Sequence, residues 1–286
     1  MIGAKAPAKI NLVFEVGAKR ADGYHSVLSL YQSLELFEEV WVEQSDHWRI
    51  SVTGDLEQAE LAEVPTDQSN LVIKAAHLIA QKAGIANPQP MHFRIVKRVP
   101  AAGGVAGGSA DAAAALVALN EAWCLGFEKA ELQKLAAELG ADVPFALLGG
   151  TAIGTDSGVE LESLPKQSEQ HVLLVFSKPG ISTRESFAIF DQLYPNGDLQ
   201  HTPDQLRDLD AQLVGRTSLL EPALTLRPDL AQIMELVPGR VKLSGSGPTL
   251  YLLGTSAEVT EWQQLFNEIG FATLQTRFGT TGAELI

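Results

Sequence analysis

Apolar and polar residues alternate along Ile10 to Val16 and again along Glu39 to Val42, the two-residue period of half-buried strands. Between them, Lys19-Arg-Ala-Asp-Gly-Tyr-His25 breaks the pattern with turn residues and gathers polar side chains. Trp48 to Val52 and Met91 to Val99 also predict strands, the second with Phe93 and Ile95 set against His92, Arg94 and Lys97. Helical spacing takes over in three places. Leu71 to Lys82 follows Asn70, a good N-cap. Asp111 to Trp123 is rich in alanine and leucine, and Glu128 to Leu139 aligns Leu132, Leu135 and Leu139 before stopping at Gly140.

Beyond about residue 150 the rhythm changes. Val172 to Phe176 is a short, wholly apolar strand. Asp204 to Val214 and Pro228 to Leu236 predict helices, and Val241 to Leu243 and Thr249 to Leu253 predict extended chain. Val259, Trp262, Phe266 and Ile269 form the stripe of a late helix. Strands and helices alternate irregularly in both halves, which predicts an α+β fold rather than a doubly wound parallel sheet. A boundary near Gly149-Gly150 divides the chain into residues 1–150 and 151–286.

Composition narrows the function classes. The 286 residues, 45% hydrophobic and 20% charged, describe a globular core rather than a disordered polymer. A net charge of −14 argues against general affinity for nucleic acid or anionic membranes. It leaves room for an anionic substrate, because a few local donors outweigh a distant screened field. With one cysteine, Cys124, no intrachain disulfide can form, and the expectation is a small buried hydrophobe in a reducing cytosol. No apolar run reaches the roughly 20 residues that span a bilayer, and Met1 to Lys9 lacks a signal-peptide core. The expected location is the cytoplasm.

Three segments carry candidate chemistry. The first is Pro100-Ala-Ala-Gly-Gly-Val-Ala-Gly-Gly-Ser-Ala-Asp111, with Gly103, Gly104, Gly107 and Gly108 between a strand and a strong helix. Glycine lets an anion approach backbone amides without meeting a Cβ. The helix that follows starts with unpaired N–H groups and partial positive charge. A Walker loop would need Lys-Ser or Lys-Thr after the last glycine, where Ser109-Ala110 stands, and the dinucleotide spacing G-x-G-x-x-G is absent. The competing reading is a flexible linker with a capped helix. The second segment, Ala6-Pro-Ala-Lys9-Ile-Asn11, leads into the first strand. Lys9 alone reads as a snorkelling surface lysine, but Asn11 shares its strand face, so the two can reach one ligand. The third is Gly140-Ala-Asp142-Val-Pro-Phe145. Asp142 either caps a short helix with Pro144 in its first turn or serves as a proton acceptor, and the two roles are compatible. A fourth cluster, Lys242-Leu-Ser-Gly-Ser-Gly-Pro248, reads first as a hairpin turn. The 6 histidines lack metal-ligand spacing, so no protein metal site is expected.

In this order, these segments resemble the superfamily of galactokinase, homoserine kinase, mevalonate kinase and phosphomevalonate kinase, the GHMP kinases. The resemblance rests on Pro7-Ala-Lys-Ile-Asn-Leu12, Arg20-Ala-Asp-Gly-Tyr-His25, Gly103 to Asp111, Leu139-Gly-Ala-Asp-Val-Pro144 and Leu243-Ser-Gly-Ser-Gly-Pro248, and runs to about residue 253. The second and fourth motifs are similar to the family of 4-diphosphocytidyl-2-C-methyl-D-erythritol kinases. The resemblance implies two α+β parts, the first like the second domain of ribosomal protein S5 and the second a ferredoxin-like sandwich, with the active site between them. Residues 1–150 would be the ATP-binding domain and 151–286 the substrate-side domain.

The implied reaction moves the ATP γ-phosphoryl group to the 2-hydroxyl of diphosphocytidyl-methylerythritol in non-mevalonate isoprenoid synthesis. By position, Asp142 matches the base and Lys9 its partner, both catalytic. Tyr24 and His25 match residues on the cytosine, Phe187 its other face, and Asn11 a residue near the methylerythritol. Asn70 and Lys97 match positions near the adenine. Gly103, Gly104, Gly107, Gly108 and Ser109 would hold ATP phosphates, with Mg²⁺ neutralising their oxygens. Ser109 would supply the hydroxyl that touches phosphate or metal. The implied partners are ATP and one small-molecule acceptor, with no nucleic acid or membrane, and the implied state is a monomer or weak homodimer. The chain departs from the family at Ala101-Ala102, usually methionine and glycine, at Ala106, usually glycine, and at Ala110, usually serine. A superfamily kinase of homoserine or mevalonate, and a catalytically silent nucleotide-binding relative, are the competing readings.

Overall fold

The computed structural model describes residues 1–101, 103–208 and 211–286. Its first sheet is built on two long antiparallel strands, β1 (Ile2–Lys19) and β2 (His25–Gln44). Burial alternates along β2 from Leu34 to Glu43. The earlier part carries Val27 to Ser33 buried on both faces, which erases the two-residue period. The register of the pair shifts between Pro7 and Lys9, next to a proline that has no N–H for the ladder. At that shift the Lys9 amide donates to Val105 O at 3.1 Å and joins the strand to the glycine turn.

β3 (Arg49–Gly54) runs parallel to β4 (Met91–Lys97), joined through α1 (Gln58–Leu61) and α2 (Leu71–Lys82). The order β12-β1-β2-β4-β3 is completed by β5 (Thr151–Thr155) on β2, β6 (Glu160–Leu164) on β5, and β8 (Arg216–Thr217) on β1, with β12 at Glu284–Leu285. Residues beyond Gly150 therefore contribute four strands to the sheet that the N-terminal residues found. Against it lie α2, α3 (Gly107–Ala122), α4 (Lys129–Leu139) and α5 (Val143–Leu148). α3 is apolar almost all round and is buried almost all round, with Ala112 to Leu116, Ala118 and Leu119 fully enclosed. Its small side chains let the backbone approach the sheet closely.

The second sheet is antiparallel, in the order β11 (Ala272–Arg277), β7 (His171–Phe176), β10 (Leu250–Gly254), β9 (Lys242–Leu243). Val172 to Phe176 of β7 is wholly apolar because both its faces are covered. Leu173 and Val175 pack with Trp262 and Phe266 of α10 (Ser256–Glu268), as do α8 (Leu220–Leu226) and α9 (Asp229–Met234). Val172 and Leu174 face the first sheet, in one cluster with Ile10, Leu12, Leu30 and Tyr251. The α+β class expected from the sequence is the observed one.

Several expectations need correction. The single helix expected over Asp204 to Val214 is a short helix, α7 (Pro203–Arg207), and a 3-10 turn at Ala211–Leu213. Leu209 and Asp210 of that stretch lie outside the described residues, as does Ala102 of the glycine loop. Thr202 and Gln205 form a capping box that starts α7, and Asp208 at φ −94° and ψ 47° ends it. Cys124 is exposed rather than buried, because it follows the last residues of α3 in a left-handed turn at φ 50° that points away from the core. Ile269 caps α10 and is 48% exposed, so it is not part of the buried stripe. A helix over residues 183–193, α6 (Thr183–Leu193), had no counterpart in the sequence reading. Among the described residues, no helix is long and apolar enough to cross a membrane.

Candidate active site

The first sheet, α3, the Ser244–Gly247 turn and α6 enclose a cleft of about 850 Å³. Helix α3 begins at Gly107, four residues before the alanine run that announced it. The backbone amides of Gly107, Gly108 and Ser109 are therefore those of its first turn, and all three residues line the cleft. A Cβ on Gly107 would stand 2.6 Å from Val99 Cγ2 and 3.1 Å from Lys97 Nζ, whereas a Cβ on Gly108 would meet no atom of the described residues within 4 Å. Gly107 is thus small because protein surrounds it. Gly108 faces open space, and a phosphate can reach its amide. Ala106 precedes them at φ 60°, a left-handed conformation that glycine adopts freely and alanine does not.

Lys9 sits at the centre of the cleft wall. Its Nζ donates to Asn11 Oδ1 at 2.7 Å and to Gly104 O at 3.4 Å, and lies 3.4 Å from Asp142 Oδ2. Asn11 is held in turn: its Nδ2 donates to Ser29 Oγ at 2.8 Å, which turns Oδ1 toward the lysine. Asp142 occupies the N-cap position of α5, yet at φ −90° and ψ −11° its side chain makes no capping hydrogen bond. Of the two sequence readings, capping is the one the geometry does not support. The Asp142 side chain is 31% exposed against 7% for Lys9, so solvent and ligand reach the carboxylate while the ammonium stays enclosed.

The second glycine turn proves to be both a hairpin and a cleft wall. β9 and β10 pair through Leu243 and Leu250, and Gly245 and Ser246 line the cleft. Gly245, at φ +58°, approaches so closely that a Cβ would stand 2.9 Å from Asn11 Oδ1. Ser244 Oγ donates to Gly104 O at 3.1 Å, stitching the two glycine turns together.

At the far end, His25 packs against Phe187 with ring centroids 5.0 Å apart, and Tyr24 stands 66% exposed at the rim. His25 Nε2 lies 2.6 Å from Asp191 Oδ1, and Lys19 Nζ lies 3.1 Å from Asp191 Oδ2. Partial burial acts to raise the Asp191 pKa, but the bonds from His25 and Lys19 outweigh it and hold the carboxyl below its ordinary value. The Asp191 carboxylate thereby orients the His25 ring through Nε2. Arg20, paired with Asp22 and Asp156, and Asp22, which accepts from the Tyr24 amide at 2.9 Å, fix the turn that carries Tyr24.

Two expected nucleotide contacts are not brought into the cleft. Lys97 is 2% exposed and its ammonium is bound to Glu38 and Asp111 below the glycine turn. Asn70 caps α2, accepting from the Val72 amide at 3.0 Å and donating to Pro65 O at 2.6 Å, and its neighbour Leu71 lines the cleft instead. Asp191, Thr183 and Arg184 line the cleft without having been signalled by local sequence, and Ser246 belongs to the fourth cluster, which read first as a hairpin turn. Their partners are distant in the chain, 166 residues for the His25–Asp191 pair, and no spacing rule reaches that far.

The family model described as the GHMP kinases N terminal domain matches residues 70–150. The chain is 41% identical over 267 residues to a protein of Nocardia farcinica named 4-diphosphocytidyl-2-C-methyl-D-erythritol kinase, covering 89% of this chain and 85% of that one. It is 40% identical over 271 residues to a protein of the same name from Kineococcus radiotolerans, covering 89% and 82%. Among solved structures, a 4-(cytidine 5'-diphospho)-2C-methyl-D-erythritol kinase superposes with a TM-score of 0.73 at 26% identity, covering 97% of this chain and 99% of that one. A mevalonate kinase at 12% identity and TM-score 0.68, covering 97% and 99%, shares the fold.

Proposed function

We propose that this chain, which belongs to the 4-diphosphocytidyl-2-C-methyl-D-erythritol kinase family, transfers the γ-phosphoryl group of ATP to the 2-hydroxyl of 4-diphosphocytidyl-2-C-methyl-D-erythritol. The observation that carries the reading is the position of Lys9 Nζ. It touches Asn11, the Gly104 carbonyl of the phosphate turn and the Asp142 carboxylate at one point of the cleft.

Phosphoryl transfer asks for alignment and charge neutralisation. The amides of Gly107, Gly108 and Ser109, with the positive end of α3 behind them, receive the ATP phosphates, and the Ser109 hydroxyl adds a donor. Magnesium, when bound with ATP, supplies neutralisation of phosphate oxygens. Among the described residues no group of three His, Cys, Asp or Glu could hold a metal, so the ion is expected to arrive on the nucleotide. The acceptor hydroxyl lies between Asp142 and the γ-phosphate. Its oxygen forms the new bond to phosphorus as the bond to the bridging β,γ oxygen breaks and ADP leaves. The hydroxyl proton passes to Asp142, late in the transfer because an alcohol is a very weak acid. Lys9 neutralises charge growing on the attacking oxygen. His25 and Phe187 take the cytosine, with Tyr24 closing over it from the rim and Asn11 facing the methylerythritol.

The chain works on free small molecules in the cytoplasm in this reading, as a monomer or weak homodimer. A coupled assay of ADP release tests it. With ATP present, turnover is expected with the cytidyl acceptor and not with homoserine or mevalonate. Equal or greater turnover on either alternative acceptor would overturn the substrate assignment, and ADP release independent of any acceptor would overturn the reaction.

A further inference from the structure

Three charged side chains that the proposed chemistry does not use meet beneath the phosphate turn. Lys97 Nζ lies 2.8 Å from Asp111 Oδ2 and 3.1 Å from Glu38 Oε2. Glu38 is 0% exposed, Lys97 2% and Asp111 3%, so water screens none of them. They come from three elements, Glu38 from β2, Lys97 from the last residue of β4 and Asp111 from the second turn of α3.

Their bonds grip the chain on both sides of the turn. Glu38 Oε1 accepts from the amides of Arg98 at 3.2 Å and Val99 at 3.0 Å, the two residues before Pro100. This is also why the β4 ladder ends at Lys97. On the exit side, Lys97 is bonded to Asp111, and Gly107 packs over Val99 and Lys97, where a Cβ would stand 2.6 Å and 3.1 Å from their side chains. The strand that leads into the turn and the helix that leaves it are therefore anchored on one cluster, with the phosphate-facing amides directly above.

Stability does not account for such a cluster. Two carboxylates and one ammonium are taken out of water, a cost that apolar side chains of similar volume would avoid. Asp111 Oδ1 has no hydrogen-bond partner among the described residues. Burial pushes the Glu38 carboxyl up to about 7 against the attraction of Lys97, and burial also raises that of Asp111. What a fixed ion cluster supplies is geometry, because its charges are satisfied in one arrangement only.

We propose that Glu38, Lys97 and Asp111 form a positioning triad for the nucleotide, fixing the separation of β4 and α3 so that the first-turn amides of α3 stand where ATP phosphates need them. None of the three touches ATP. The triad acts on nucleotide affinity through the backbone, and the inference rests on ATP binding at this turn as proposed above.

Steady-state kinetics on Glu38→Gln and Asp111→Asn, each close in shape to the native residue, tests the triad. The KM for ATP is expected to rise between about 3-fold and about 30-fold, with kcat at saturating ATP and the KM for the acceptor within about twofold of wild type. Cooperative melting checks the fold of each variant. Folded variants with wild-type ATP KM, or with both KM values raised equally, would overturn the proposal. Should the single variants fail to fold, the triple variant Glu38→Gln, Asp111→Asn, Lys97→Met removes every charge while keeping the volume. It is expected to fold and to show the raised ATP KM. A triple variant with normal ATP KM, or one that also fails to fold, makes the cluster a purely structural element and ends the proposal. Wild-type protein that shows no ATP-dependent turnover would instead count against the function itself, so the two failures are distinguishable.

Discussion

Replacing Gly108 by alanine separates the needs of the fold from the needs of the ligand at a single atom. The new Cβ would meet no atom of the described residues within 4 Å, and Gly108 is helical, with no left-handed φ for alanine to resist. Alanine is the better helix former by up to about 1 kcal/mol, so the variant should melt at the wild-type temperature or about 2 °C above it. The methyl group, however, occupies the open side of the turn, where a phosphate must come to reach the amides. Losing two charge-assisted hydrogen bonds at about 1.5–3 kcal/mol each weakens ATP by at least about 100-fold. Gly107→Ala provides the contrast, since its Cβ would collide with Val99 at 2.6 Å. That variant should lose about 1–3 kcal/mol of stability from overpacking. Thermal denaturation and calorimetric titration with ATP read both quantities. Wild-type ATP affinity in a well-folded Gly108→Ala protein would refute the assignment of this turn to phosphate.

Other perturbations test neighbouring parts of the account. His25→Ala should raise the KM for the cytidyl acceptor by about 10-fold or more, the scale of a lost hydrogen bond and ring contact, while leaving the ATP KM nearly unchanged; equal losses for both ligands would contradict the placement. Ala106→Gly relieves a left-handed alanine at φ 60° that costs roughly 1–2 kcal/mol, against an unfolded-state entropy term of about 0.4–1 kcal/mol. Its denaturation midpoint should equal or exceed that of wild type, and a clear drop would show that the methyl group packs usefully. A pH titration of stability addresses Glu38, whose folded pKa of about 7 lies above its ordinary 4.5. The proton-bound form is the one that folding favours, so this share of stability is complete below pH 4.5 and disappears as pH rises through 7. Glu38→Gln should remove that slope between pH 4.5 and 7, and an unchanged slope would locate the titration elsewhere.

Much of this was legible in the chain itself, for reasons that particular residues make clear. α2, α4 and α10 each bury one face only, so their apolar residues recur at helical spacing and Asn70 and Gly140 mark two of the ends. The Val27 to Ser33 part of β2 was not legible, because a strand covered on both faces has no alternation to read. The start of α3 was hidden for a different reason. Gly107 and Gly108 are poor helix formers, and they are helical here because packing against Val99 and approach to the cleft select against any side chain. Lys9 and Asp142 were readable as motifs, but only the fold brings them to 3.4 Å. Lys97 shows the limit most plainly. Its polar character suggests the outward face with Arg94, whereas the two-residue period and the fold place it on the buried face of Phe93 and Ile95, and its ion partners, Glu38 and Asp111, belong to other elements that only tertiary structure assembles. Asp191 reaches His25 from a helix with no sequence signature of the cytosine site.

The claim on which the account turns is that Asp142 takes the proton of the acceptor alcohol while Lys9 holds it in place. Single-turnover rates for Asp142→Asn, measured beside ATP and acceptor affinities on the same protein, test it directly. The rate is expected to fall by about 10² to 10⁴-fold with both affinities within about twofold of wild type. A rate near that of wild type, with both ligands bound, would take Asp142 out of the reaction and the mechanism with it.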